Sequence, residues 1–190
     1  MSTVTTRSTA RTTSTLGTVF ITGATSGIGR ATALDLAGRG YHVIASGRRT
    51  AELESLRAVA HERGHRLDTV ELDVTSSASI AAAVAAVTRL TDRSGIDVLV
   101  NNAGFGVAGP AVEVTDADLR RQFDTNVFGL MAVTRAFLPQ LRARGAAKII
   151  NISSLGGRIT LPFMATYNAT KYAVESLSDG LRLELKPLGI

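Results

Sequence analysis

The stretch Thr18-Val19-Phe20-Ile21-Thr22-Gly23-Ala24-Thr25-Ser26-Gly27-Ile28-Gly29 passes from a β-branched and aromatic block into three glycines spaced Gly-x-x-x-Gly-x-Gly. Thr18 to Thr22 reads as a strand, and Gly27 to about Ala37 as a helix. Gly23 permits a tight turn, while Gly27 and Gly29 let the helix start approach a ligand and the strand closely. Free N–H groups at that helix start, reinforced by the helix dipole, make an anion site suited to a pyrophosphate. Dinucleotide binding is the functional reading, with Ser26 and Ile28 in the turn; a ligand-free glycine turn is the plainer one. No Gly-Lys-Ser/Thr follows, so this is not a Walker A loop. No Gly-x-Ser-x-Gly elbow occurs, which argues against an α/β-hydrolase.

Working outward, Tyr41 to Ser46 reads as a second strand, and Thr50 opens a helix with Leu53, Leu56 and Ala60 on one stripe. Arg66 to Leu72 is a third strand, and Ser76 or Ser77 caps a helix carrying Ile80, Val84 and Val87. Ile96 to Val100 is a fourth strand, ending at Asn101-Asn102-Ala103-Gly104. Thr115 and Asp118 have capping-box spacing, and a long helix from Thr125 to Arg142 carries Phe128, Met131, Phe137, Leu138 and Leu141. Lys148 to Ile152 is a fifth strand, and a last helix runs from Ala165 to Leu185, stopped by Pro187 and Gly189. Strands alternating with helices predict an α/β fold, a doubly wound parallel sheet, as one domain over 18–190. Ligands of such sheets sit at the carboxyl ends of the strands, where every glycine or polar cluster named above also falls.

Composition narrows the function classes. The chain has 190 residues, 45% hydrophobic and 19% charged, which suits a folded domain. It has no Cys, which excludes disulfides, thiolate catalysis and sulfur-ligated zinc. Among the three histidines, His42 stands apart, and His61 with His65 reads as a solvated helix end, so no metal site is expected. The net charge of +5 comes from scattered residues such as Arg48-Arg49 and Arg120-Arg121, which is not a nucleic-acid footprint. No apolar run approaches the roughly 18 residues of a membrane span. Residues 1–17, rich in Ser and Thr, contain no apolar signal core and read as a disordered tail on a cytoplasmic protein.

The chemistry-bearing residues follow the strands. No carboxylate closes the second strand at Ala45-Ser46-Gly47-Arg48-Arg49; Arg48 stands there instead. A guanidinium matches a ribose 2′-phosphate by charge and forked hydrogen bonds, favouring NADP over NAD, unless it is an ordinary surface charge. Tyr167-Asn168-Ala169-Thr170-Lys171 puts a phenol and an ammonium on one helix face. At about 5 Å and an effective dielectric near 20, the cation stabilises a phenolate by roughly 3 kcal/mol, which suits Tyr167 to acid–base work. Ser154 follows the fifth strand, where its hydroxyl serves a substrate oxygen or simply caps a turn. Asn126 lies among apolar neighbours and either holds a water leading to Lys171 or is a satisfied packing group.

In order and spacing these motifs resemble the short-chain dehydrogenase/reductase family over about Thr18 to Ile190, and the ending resembles its hydroxysteroid and retinol dehydrogenase branch. The resemblance implies a Rossmann-like fold in which Gly23, Gly27 and Gly29 match the cofactor glycines. Asp73-Val74 matches the pair beside the adenine, and Asn101-Asn102-Ala103-Gly104 the motif that steadies the sheet and lines the cofactor, with Asn101 and Ala103 as its expected cofactor contacts. Asn126, Ser154, Tyr167 and Lys171 match the catalytic tetrad. It implies hydride transfer between nicotinamide and a carbonyl or secondary alcohol. In reduction Tyr167 would donate the proton, Ser154 would steady the oxygen, and Lys171 would bind the nicotinamide ribose. Leu155, Ile159, Leu161, Phe163 and Met164, with Phe105, read as an apolar wall for a lipophilic substrate or as core. Homo-oligomerisation through the long helices is a further expectation. Five strands are visible; the sixth and seventh strands and the substrate cover of family members are missing. A dinucleotide-binding remnant or regulatory protein without turnover is therefore the alternative reading.

Overall fold

The computed structural model describes residues 16–190, so most of the expected tail lies outside the described residues. Five strands, β1 (Thr18–Ile21), β2 (His42–Gly47), β3 (Leu67–Glu71), β4 (Val98–Asn101) and β5 (Lys148–Asn151), form one sheet in the order β3-β2-β1-β4-β5. Every neighbouring pair is parallel. The helices are α1 (Gly27–Gly38), α2 (Thr50–Glu62), α3 (Ser77–Leu90), α4 (Asp116–Phe123), α5 (Leu130–Arg142) and α6 (Ala165–Leu185). This is the doubly wound parallel architecture expected from the sequence.

Side chains alternate across each strand, so the sheet buries two cores. Phe20, Ile44 and Leu99 face Ile80 and Val87 of α3 and Val133, Phe137 and Leu141 of α5. Val19, Ile21, Val43 and Ala45 face Ala33 and Ala37 of α1 and Leu56 and Ala60 of α2. Phe20 stacks on Phe137 with ring centroids 4.4 Å apart. The caps are as expected: Ser79 N–H donates to Ser76 Oγ, and Asp118 N–H donates to Thr115 Oγ1.

The expected long helix differs at its start. Asp124–Gly129 is a π-helical turn linking α4 to α5. Its wider turn shifts the phase of the side chains, so Phe128 is 61% exposed instead of joining the core, whereas Asn126 is buried.

Away from the cleft, His42 is buried at the start of β2 with Nε2 2.7 Å from Asp68 Oδ2 on β3. The hydrogen bond to His42 holds Asp68 below the usual carboxylate range, outweighing burial and helped by Arg66 and Arg57. A carboxylate lowered in the folded state stabilises the protein above its unfolded pKa, and that contribution is lost as pH falls through the folded value. Asp68→Asn is expected to lower stability at neutral pH by about 1 kcal/mol, a figure discounted for solvent screening of a half-buried group. The difference from wild type should close below about pH 4. Urea unfolding across that range checks both points.

Candidate active site

Strand order reverses between β1 and β4, and the loops leaving these two strands are stitched together there. Thr22 Oγ1 accepts the N–H groups of Asn102 and Ala103, each at 3.0 Å. Asn102 Nδ2 donates to Thr22 O at 2.9 Å and to Gly23 O at 3.0 Å. Gly23 has φ +67°, and a Cβ there would lie 2.7 Å from Ala103 Cα. Gly27 has φ +54°, and a Cβ there would meet nothing within 4 Å, so its outer side is open space. Ser26 makes no side-chain capping bond and the first turn of α1 has no acidic residue, leaving those N–H groups without side-chain partners. The turn therefore fits a pyrophosphate.

A cleft of about 810 Å³ opens along the carboxyl ends of the strands. Gly23, Ser26, Gly27, Ile28 and Gly29 line its middle, Arg48, Asp73 and Val74 contribute from the loops after β2 and β3, and Ala103, Tyr167 and Lys171 also face it. Among the described residues Arg48 has no carboxylate at ion-pair distance, whereas Arg49 is held by Glu52 at 3.1 Å and donates to Thr25 Oγ1. Burial pushes Asp73 up, but two hydrogen bonds from Thr75 and the charge of Arg48 outweigh it and leave the carboxyl below its ordinary range.

Tyr167 and Lys171 lie one turn apart on α6. Lys171 is buried, and its Nζ donates to Ile152 O at 2.7 Å, 5.8 Å from the centre of the Tyr167 ring. Burial lowers the pKa of this ammonium. The helix spacing thus brings the cation to the phenol, and the carbonyl at the end of β5 anchors it.

The other expected residues are placed differently. Asn126 is 1% exposed; its Oδ1 accepts Phe105 N–H at 3.0 Å, and its Nδ2 donates to Phe105 O at 2.8 Å and Thr170 Oγ1 at 3.0 Å. Its side chain braces a loop behind the cleft. Ser154 Oγ accepts Gly156 N–H at 3.1 Å, capping a single 3₁₀ turn, and its hydroxyl proton is not used in that bond. The neighbouring Ser153 lines the cleft, and its buried Oγ has no partner among the described residues. Asn101 does not line the cleft: its Nδ2 donates to Thr134 Oγ1 and Asn151 Oδ1, both at 2.9 Å, tying β4 to α5 and β5. Strand alternation turns Asn101 into the layer of α5 and leaves the cleft to Asn102.

Leu155, Ile159, Leu161 and Phe163 are exposed, so they are not core, while Phe105 and Met164 line the cleft. Sequence reasoning placed Asn102 in the cofactor motif but took Asn101 as its contact, and it overlooked Thr25, Thr125 and Ser153. The signal for Asn102 was its position one residue past the strand, facing the opposite way from Asn101.

Comparison with known proteins agrees with this fold. The chain is 42% identical over 173 residues to the uncharacterized oxidoreductase YusZ of Bacillus subtilis, a match covering 90% of this chain and 60% of that protein. It is 36% identical to 3-ketodihydrosphingosine reductase of Bacteroides thetaiotaomicron, with the same coverages of 90% and 60%. The chain thus spans about 60% of the length of these curated relatives. Among solved structures, actinorhodin polyketide ketoreductase with NADPH superposes with a TM-score of 0.86 at 35% identity, covering 91% of this chain and 66% of that one. Residues 17–190 match the family model for short chain dehydrogenase, and the chain belongs to that family of nicotinamide-dependent oxidoreductases.

Proposed function

We propose that this protein is an NADP-dependent oxidoreductase that moves a hydride between the nicotinamide and a lipophilic carbonyl compound or secondary alcohol. The observation that carries the reading is one continuous cleft with the glycine turn, Arg48 and the Tyr167–Lys171 pair along its walls. NADP supplies the hydride acceptor or donor when bound. The first-turn N–H groups of α1 hold its pyrophosphate, Arg48 its 2′-phosphate, and Asp73 with Val74 flank its adenine.

Tyr167 gives its hydroxyl proton to the substrate oxygen in reduction and takes it back in oxidation. Lys171 stabilises the phenolate form and hydrogen-bonds the nicotinamide ribose. Ser154, next to the cleft-lining Ser153, reaches the substrate oxygen only by turning its hydroxyl into the cleft. Asn126 holds the loop carrying Phe105 and, through Thr170, the neighbourhood of Lys171. The exposed apolar stretch from Leu155 to Phe163, together with Phe105 and Met164 in the cleft, supports a lipophilic substrate. The family relative named for 3-ketodihydrosphingosine reduction is compatible with that class.

NADPH and NADH oxidation measured over a panel of aliphatic and aromatic ketones and aldehydes tests the reading. Turnover with NADPH on apolar carbonyls is expected. Tight NADPH binding without turnover on any of them favours a dinucleotide-binding protein lacking catalysis.

A further inference from the structure

Beyond β4 the chain runs as an extended segment whose N–H groups at every second residue are taken up on one edge. Phe105 N–H donates to Asn126 Oδ1 at 3.0 Å, Val107 N–H to Gln122 Oε1 at 3.0 Å, and Gly109 N–H to Phe163 O at 2.8 Å. The two glycines flanking Phe105, Gly104 and Gly106, lie next to the acid–base pair. A Cβ on Gly104 would lie 3.7 Å from Lys171 Nζ, and one on Gly106 would lie 2.8 Å from Tyr167 Cδ2. The segment is thus a ribbon pinned along one edge, with the Tyr167 ring resting directly on its backbone.

Gln122 lies one helical turn before Asn126 and repeats its arrangement. It is 0% exposed, and besides accepting from Val107 it donates through Nε2 to Thr166 Oγ1 at 3.4 Å and to Asp118 O at 3.5 Å. Asn126 likewise joins Phe105 to Thr170. Two carboxamides four residues apart therefore meet two threonines four residues apart on α6. Thr166 immediately precedes Tyr167, and Thr170 immediately precedes Lys171. A carboxamide this deeply buried destabilises the fold unless its donors and acceptor are occupied, so removing it disturbs both partners at once.

We infer that Gln122 is a positioning residue for Tyr167. It holds the ribbon under the ring through Val107 and the first turn of α6 through Thr166, and so sets where the phenol hydroxyl points. Gln122 is absent from the cleft lining, so it acts through its neighbours. The inference rests on Tyr167 being the proton-transfer residue, and its test separates the two claims.

The protein carries three tyrosines, so uniform 3-fluorotyrosine labelling gives three fluorine resonances, and the Tyr167→Phe spectrum assigns one of them. Gln122→Met keeps the length of the side chain and removes its hydrogen bonds. The expected result is a displaced or broadened Tyr167 resonance, with those of Tyr41 and Tyr172 unchanged. Turnover is expected to fall about tenfold in kcat with KM for NADPH unchanged, because misplacing a reacting group by about 1 Å costs up to roughly a hundredfold.

If Gln122→Met does not fold, Thr166→Val replaces it, with the same Tyr167-only change expected and Thr166→Ser restoring the wild-type spectrum. A Tyr167 resonance left in place in the folded variant overturns the positioning role. The fluorine spectrum needs no turnover. A wild type that binds NADPH but reduces nothing would count against Tyr167 as proton donor, and the spectrum would still decide the role of Gln122.

Discussion

Tyr167→Phe is expected to reduce carbonyl turnover by about 10³-fold, within the range that loss of a positioned general acid produces. The substitution removes only the phenol oxygen. The phenyl ring still fits against Gly106, and Lys171 stays anchored on Ile152 O. The glycine turn and Arg48 are untouched, so NADPH affinity should stay within a few-fold of wild type. Initial rates of NADPH oxidation and equilibrium binding titrations separate the two quantities. Retention of wild-type kcat would refute the assignment of Tyr167, whereas a parallel collapse of NADPH binding would mark the phenol oxygen as a cofactor contact.

Arg48→Ala should weaken NADPH binding by about 10- to 100-fold and leave NADH within about twofold, since hydrogen bonds to charged groups contribute roughly 1.5–3 kcal/mol each. The neighbouring Arg49 is already paired with Glu52 and bonded to Thr25, so it is poorly placed to compensate. Arg48 also helps hold Asp73 below the ordinary carboxylate range. Its loss leaves Asp73 held by the two Thr75 hydrogen bonds but with one positive charge fewer nearby. Calorimetric titration of both dinucleotides at two salt concentrations reads the effect, and the NADPH penalty should shrink at the higher salt. Equal losses for NADPH and NADH would refute a phosphate role.

Much of this architecture is legible in the sequence because hydrophobic periodicity and helix caps are local properties. The last helix has the expected ends at Ala165 and Leu185, and the caps at Ser76 and Thr115 form as their spacing suggests. The glycine turn is legible for the same reason, since Gly23 and Gly27 adopt backbone angles that few other residues tolerate. What the sequence hides is direction and phase. Asn101 and Asn102 are chemically identical neighbours, and only the pleat of β4 decides which one serves the sheet and which the cleft. The π-helical turn at Asp124–Gly129 has no distinctive composition, yet it places Phe128 outside the core. Ser153 and Ser154 pose the same difficulty, because an irregular turn sets which hydroxyl lines the cleft. Gln122 escapes notice because its partners Val107 and Thr166 lie 15 and 44 residues away.

The stitch between Thr22 and Asn102 spans 80 residues, so the glycine turn is not fixed by its local sequence alone. Ser46 O of β2 takes Ala24 N–H, but the bonds from Asn102 and Ala103 form only once β1 and β4 have paired, a contact of high sequence separation that closes slowly during folding. In a refolding experiment, dinucleotide binding should therefore appear after the bulk of the helical signal has recovered. NADPH emission would then time the closure of the sheet's central seam, and excess NADPH would slow its reopening.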